Sequence, residues 1–478
     1  SFLGDISVYG GGTLNITSRG NQSGLTFSGV VGIGRTGGTI NILGNNITFN
    51  RDVTNALGWY LINGYMFTDN AEYAQVGSSF YQDKAALNAG YYNGTINVQT
   101  TDGGVIHFNA GVVSTGTFNI NGGEVVFGNN SSSSVKDAFV AVAAGNFTIK
   151  AGSKVTFGSD VYVSASYNCL RNTNFTIEGG ASATFSGDLW NWVRTWRGGT
   201  NGESGEKLIA YGDLAVYIYN NTYYAGLLTQ VSSVKSTLTF KNGSNVNFSK
   251  GATLYNYGTF GVATVNVEAG AMASFYNIEN AAFNGWSPYP GNSTGGTITW
   301  DADLTKLYGF SSSPISAQGV HPSSVTLVNG ASFNIFADGI TVENTVLNTG
   351  ASAGQYQYSN ATSHIANAGF NVIGSNNRFL GLFSNENSAL LKISGGTGNQ
   401  FTEISNGRES DGVIAYRTKV LVNGEQSLGT VRNYAELDLV DAKATQISLI
   451  NEDGVTKISG NSDRFTFNQL QINKGSVV

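Results

Sequence analysis

An all-β fold, a right-handed parallel β-helix (a β-solenoid), is what this sequence predicts, and three observations predict it. The first is a repeated unit of strand, glycine turn and strand. In the stretch 146–157, Phe147 and Ile149 alternate before Gly152, and Val155 and Phe157 alternate after it. Alternation at period two marks strands with one buried face. The same offsets recur with Phe175, Ile177, Gly180, Ala183 and Phe185, and with Leu238, Phe240, Gly243, Val246 and Phe248. They recur again with Val265, Val267, Gly270, Ala273 and Phe275, and with Val325, Leu327, Gly330, Phe333 and Ile335. A tighter copy runs through Phe118, Ile120, Gly123, Val125 and Phe127, and a looser one joins Ile96 and Val98 to Ile106 and Phe108.

The second observation is the period. First positions 96, 118, 147 and 175 are 22, 29 and 28 residues apart, 238 and 265 are 27 apart, and Leu14 and Ile40 are 26 apart. A period in the twenties with no helical pattern between copies reads as a solenoid, in which one coil cannot bury its apolar face alone. The third is composition. Gly (64 residues), Asn, Ser and Thr dominate, without the Leu scaffold of a leucine-rich repeat, and only four Pro occur. Such residues form turns rather than helices, and scarce proline suits backbones whose N–H groups are needed in ladders. Phe147, Ile149, Val155, Phe157, Phe175, Ile177, Phe185, Phe240, Phe248, Val265 and Phe275 are the expected core stack. A repeat array grows by adding coils, so residues 1–478 are expected to form one elongated unit rather than several globular domains.

In chain order, residues 1–50 read as plain coils through Leu14 and Ile16, Leu25 and Phe27, Ile40 and Ile42, and Ile47 and Phe49. The pattern lapses over 51–93, a Tyr- and Phe-rich excursion in which 78–87 reads as a short helix capped by Ser. Loops that leave a solenoid often carry binding; a helix packed on the shaft is the structural alternative. Coils resume over 95–185. A second excursion, 188–234, contains Trp190, Trp192 and Trp196 interleaved with Arg194 and Arg197, and then an alternating strand pair from Leu208 to Tyr219. Aromatic and Arg residues together suit a recognition surface through stacking and cation–π contact, and they also serve to fill a broad coil. The third excursion, 276–324, adds Trp286 and Tyr289 to that candidate surface and holds Pro288, Pro290, Pro314 and Pro322. Proline cannot donate to a ladder, which places these residues in surface loops. Residues 355–478 carry less Gly and more charge and read as degenerate coils.

Charge and motifs narrow the function classes. With 25 basic and 31 acidic residues and a net charge of −6, the surface has no strong field for nucleic acid or anionic lipid. The longest apolar run, 138–144, is far too short to span a bilayer, so no stable membrane insertion by this segment is expected. Gly32, Gly34 and Gly37 spell G-x-G-x-x-G, but a strand (Thr39 to Ile42) follows where a nucleotide site needs a helix. His107, His321 and His364 are scattered, with no Cys or carboxylate at ligand spacing, and no metal or other cofactor is expected. The acid pairs Asp301/Asp303, Glu409/Asp411 and Asp438/Asp441 keep a polysaccharide-degrading β-helix enzyme as an alternative, and a purely structural surface spacer is another. Non-enzymatic binding is the first expectation. Cys169 is the single cysteine, so no internal disulfide forms, a habit of cytosolic proteins and of chains that cross a pore unfolded. The chain opens at Ser1 inside an alternating run, as expected of a piece of a longer precursor.

The repeats resemble the passenger domains of bacterial autotransporters, on the Gly-turn units and the scarcity of Cys across most of the chain. A narrower resemblance is to the vacuolating cytotoxin-like family. It rests on Ser204-Gly205-Glu206-Lys207-Leu208 with the Tyr-rich run to Tyr224, and on Ala263-Thr264-Val265-Asn266-Val267 leading to Phe275-Tyr276-Asn277. The resemblance implies export through the periplasm and an outer-membrane barrel, a cell-surface or secreted product, and interaction with a host-cell or mucosal receptor, protein or glycan, during colonisation. It does not imply pore formation, because nothing here matches the family's apolar, Gly-patterned N-terminal segment.

Overall fold

The computed structural model describes residues 1–18, 24–34, 36–55, 93–101, 103–128, 140–143, 145–166, 172–194, 207–211, 214–219, 222–227, 235–258, 262–282, 297–298, 315–316, 330–350, 367–386, 389–407, 418–442, 446–460 and 466–478. The described residues are all-β, with no helix among them, and their strands stack in parallel as in a β-helix. The proposed helix at 78–87 lies outside the described residues. The chain divides into two compact units: Ser1–Asn191 with Ser236–Tyr255 and Val265–Asn277, and Trp192–Lys235 with Asn256–Thr264 and Ile278–Val478.

The first unit is built from three families of strands. One contains Thr117–Ile120, Asn146–Ile149 and Thr173–Ile177, in which Phe118, Phe147 and Phe175 pair coil on coil. The second contains Gly123–Phe127, Ser153–Phe157 and Ser182–Phe185, with Phe127, Phe157 and Phe185 in register. Between these two families the chain turns at Gly152, Gly180, Gly243 and Gly270, all at φ between 78° and 82°. That left-handed conformation is open to glycine at little cost, which accounts for the fixed +5 position. The third family, Val140–Ala143, Val161–Ser166 and Leu189–Arg194, was not separated by the sequence pattern. Val140–Ala143 is only four residues long, and in Leu189–Arg194 the buried position between Leu189 and Val193 is held by Asn191, so the apolar alternation is brief or broken.

Register turns the repeated phenylalanines into columns. Phe2, Phe27, Phe49, Phe108, Phe127, Phe157, Phe185, Phe248 and Phe275 follow one another with ring centroids 4.7–5.2 Å apart. Phe118, Phe147 and Phe175 form a second column at 4.8 and 4.9 Å. The two columns meet at tilted contacts such as Phe147 to Phe157, 6.3 Å. Phe147, Ile149, Phe157, Phe175, Ile177, Phe185, Phe240, Val265 and Phe275 are fully buried, and Val155 and Phe248 nearly so. Each ring contributes roughly 1.5–3 kcal/mol of burial, and stacking geometry adds to it. Outside, Asn15, Asn41, Asn97 and Asn119 pass side-chain hydrogen bonds of 2.8–2.9 Å from coil to coil.

The copy at 325 is corrected. Gly330 opens the strand Gly330–Ile335 rather than making a turn, and Phe333 and Ile335 pair with Phe370 and Val372. Those two residues are thus the first pair of a coil, whose turn follows at Gly339, φ 71°; Val325 and Leu327 lie outside the described residues. A chance glycine five residues after an apolar pair imitated the repeat.

In the second unit Phe370, Leu391, Val420, Leu437 and Thr456 lie in register on successive strands. Beside them run the longer strands Arg378–Glu386, Gln400–Asn406 and Ser427–Asn433, each pairing with the next, with register shifts between the first two and between Ser427–Asn433 and the following strand Gln446–Asn451. One long, bulged strand here takes the place of two, and the steps from Val420 to Leu437 and on to Thr456 fall to 17 and 19 residues. That shortening is why the repeat is hard to follow after 355 in the sequence. Within 188–234, Lys207–Tyr211, Leu214–Tyr219 and Thr222–Leu227 form an antiparallel sheet, a departure from the parallel stack.

Candidate functional site

Of the candidate surface residues, Trp190 is the one whose side chain is described. Trp192 and Arg194 lie in the strand Leu189–Arg194, but their side chains, like residues Trp196, Arg197, Trp286 and Tyr289, fall outside the described residues. Trp190 stands on the outer face of the third strand family. Its ring stacks on Tyr255 with centroids 3.8 Å apart, and Tyr162 lies 6.4 Å away on the coil before it. Rings stacked along the coil axis turn their faces to one another and their edges to solvent. A sugar or a cation that needs an open aromatic face therefore finds one face of Trp190 already occupied. Here the structural role weighed for this tryptophan has a direct basis.

Two carboxylates border this aromatic column, and the sequence reading did not bring them together. The Tyr162 hydroxyl donates to Asp160 Oδ2 at 3.2 Å, and Asp160 Oδ1 accepts the backbone N–H of Asp188 at 2.9 Å. Asp188 Oδ1 in turn accepts the N–H of Thr253 at 2.9 Å. Burial pushes the Asp188 carboxyl up; the bond from Thr253 opposes this, and the charge of Asp160 adds to it. Burial, followed by the Asp160 carboxylate, also raises the Tyr162 phenol. Paired acids with one raised pKa invite a general acid–base reading.

The same bond recurs where no such aromatic stack stands. Asp5 Oδ1 accepts the N–H of Val30 at 2.8 Å, and Asp52 Oδ1 that of Gly111 at 3.0 Å. In every case the aspartate stands just before a strand of the third family and ties the corner of one coil to the next. The arrangement satisfies a backbone donor that would otherwise be lost at the turn, and four repetitions identify it as corner chemistry. A readable signal existed: an Asp directly before the apolar residue that opens the strand, as in Asp52-Val53, Asp160-Val161 and Asp188-Leu189.

The acid pairs singled out from the sequence fare differently. Asp301, Asp303, Glu409 and Asp411 lie outside the described residues. Asp438 forms an ion pair with Lys419, and Asp441 sits at a turn with φ 46°. Among the described residues no group of three or more His, Cys, Asp or Glu is placed to hold a metal ion. No helix among them is long and apolar enough to cross a membrane.

A second polar arrangement was missed altogether. In the second unit Asn256, Asn280, Asn348, Asn385, Asn406, Asn433 and Asn451 are fully buried. Each Nδ2 donates to the Oδ1 of the next at 2.7–2.9 Å. The column closes on the carbonyls of Gly454 and Lys474. The second N–H of several members reaches a carbonyl of a neighbouring strand, as Asn280 does to Gly369 and Asn406 to Glu436. Its trace in the sequence is an apolar residue, one intervening residue and Asn at the end of a strand, as in Phe383-Ser384-Asn385 and Val431-Arg432-Asn433.

Comparison of the chain with protein families, with curated proteins and with solved structures finds no match.

Proposed function

We propose that this chain is a non-enzymatic autotransporter passenger of the vacuolating cytotoxin-like kind, exported through the periplasm to the bacterial surface or released from it. On this reading the stacked coils are a scaffold. They hold the excursions 51–93, 188–234 and 276–324 against a host-cell or mucosal receptor and so serve colonisation. The observation that carries the reading is the register of the phenylalanine columns: the inward face of the regular part is committed to packing, and excursions from such a scaffold commonly carry recognition of large partners. The corner role of Asp160 and Asp188 favours binding over hydrolysis at this acid pair. The resemblance in 204–224 and 263–277 supplies the family.

The test is binding of the folded chain to mucin-coated surfaces and to cultured epithelial cells. Replacing Trp192, Trp196 and Trp286 with Ala is expected to reduce binding at least tenfold, as loss of aromatic anchors does, with the β-rich circular dichroism spectrum unchanged. Binding that survives all three replacements would defeat the loop assignment. Trp190 belongs outside that set, because its loss also removes the stack on Tyr255.

A further inference from the structure

The outer face of the second strand family in the first unit carries a groove of about 350 Å³, within the range of roughly 300–1,000 Å³ typical of small-molecule sites. One wall is a registered column, Thr48, His107, Val126 and Thr156, each directly above the next. The floor is a second column, the residues that directly follow the stacked phenylalanines. In that position successive coils place Asn50, Asn109, Gly128, Gly158, Ser186 and Ser249, each donating its N–H to the preceding coil's phenylalanine carbonyl at 2.6–2.9 Å. Two glycines in succession remove the side chain from a column that carries one on either side, and the groove lies where they are.

An independent observation marks the same place. The Ser159 hydroxyl is buried and has no hydrogen-bond partner among the described residues. It lies 2.9 Å from the point where a Cβ on Gly128 would stand, beside a glycine that lines the groove. A buried hydroxyl without a partner costs free energy unless something else engages it.

The chemistry of the lining selects the ligand. Threonine hydroxyls, the Asn109 amide and the His107 imidazole both donate and accept, and among the described residues no Asp, Glu, Lys or Arg lines the groove. Such a set matches a neutral polyol, and the Val126 side chain offers an apolar contact for the C–H face of a sugar ring. The wall column continues through Thr26 on one side and Thr184 and Asn247 on the other, at a coil spacing of about 4.8 Å. We propose that this groove binds a neutral oligosaccharide lying along the coil column, on the stacked strands themselves rather than on the excursions.

Calorimetric titration of the chain with neutral hexasaccharides of glucose, mannose, galactose and N-acetylglucosamine, with oligogalacturonate as the charged comparison, tests this. At least one neutral sugar binds with Kd of about 1 mM or tighter. Gly158→Ser, which installs the side chain that Ser186 carries one coil later, weakens that binding roughly tenfold or more. His107→Ala weakens it about threefold to tenfold, the worth of one or two neutral hydrogen bonds. Melting curves check that both variants fold, and if Gly158→Ser does not, His107→Ala decides. The assignment falls if no neutral sugar binds at that level, if binding survives the substitutions, or if oligogalacturonate binds equally well. Because the loop reading is tested with tryptophan variants on mucin and cells, the two stand or fall separately.

Discussion

At Asn406 every hydrogen-bonding atom of a fully buried side chain has a partner. Its Oδ1 accepts from Asn385 at 2.9 Å, and its Nδ2 donates to Asn433 Oδ1 at 2.8 Å and to the Glu436 carbonyl at 2.9 Å. Ala at this position would break the column: Asn385 Nδ2 would keep only the Ala389 and Lys419 carbonyls, Asn433 Oδ1 would keep only the longer bond from the Ala435 N–H, and the Glu436 carbonyl would lose the donor from Asn406. We expect Asn406→Ala to cost about 2–4 kcal/mol in chemical denaturation, more than loss of the amide's packing alone. Phe157→Ala should cost about 3–5 kcal/mol by the same measurement, because the ring touches both columns and its neighbours cannot close the gap. Asp188 is the opposite case. Its carboxyl is raised, so its charge opposes folding above the folded pKa, and that penalty is relieved as pH falls. Asn keeps the Oδ1 that Thr253 needs and removes the repulsion with Asp160. Asp188→Asn is therefore expected to melt at the same temperature or higher at pH 7, and a clear fall in melting temperature would show that the charge itself stabilises the corner.

Among elements, the strands Lys419–Asn423, Glu436–Val440 and Val455–Ser459 show how an outer face is held when Asn gives way to charge. Lys457 Nζ lies 2.9 Å from Glu436 Oε1, and Lys419 Nζ lies 3.1 Å from the same atom. The Lys457 hydrogen bond holds Glu436 below its ordinary value, against the cost of partial burial, and Lys419 adds to the effect. A lowered carboxylate contributes stability that is present above its unfolded pKa, near 4.5, and lost as pH falls through the folded value. Glu436→Gln should thus cost a few tenths to about 1 kcal/mol at pH 7 and progressively less as pH falls through the lowered folded value, which a series of denaturation curves down the acid range would reveal. The element scale also shows the limit of pattern reading. Alternation located the two strand families with strong inward Phe, Ile and Val. It passed over Val161–Ser166, in which Val161 and Val163 are the buried pair among the residues whose side chains are described.

For the whole molecule, each coil rests on the ones beside it, with partners typically 17 to 29 residues away in sequence where no excursion intervenes. Parallel pairing of this kind closes a loop before any contact forms, which slows folding, and a chain of this size passes through intermediates. Refolding from guanidinium followed by tryptophan fluorescence and by circular dichroism is expected to give more than one phase, with the two probes out of step. A single shared exponential would contradict this.

The sequence by itself determined the fold class, the inward columns and the turn glycines. Those follow from constraints repeated in every coil: period-two alternation, and a left-handed corner that glycine adopts at least cost. Only the tertiary structure decided what happens between coils, since an Asp before a strand or an Asn at its end marks a position without naming the partner that a neighbouring coil brings to it. Register is what stacks Trp190 on Tyr255, joins Asp160 to Asp188, links the buried asparagines into one column, and sets Gly128 and Gly158 one above the other. The partner of each of those residues lies on another coil, and its role appears once that coil is in place.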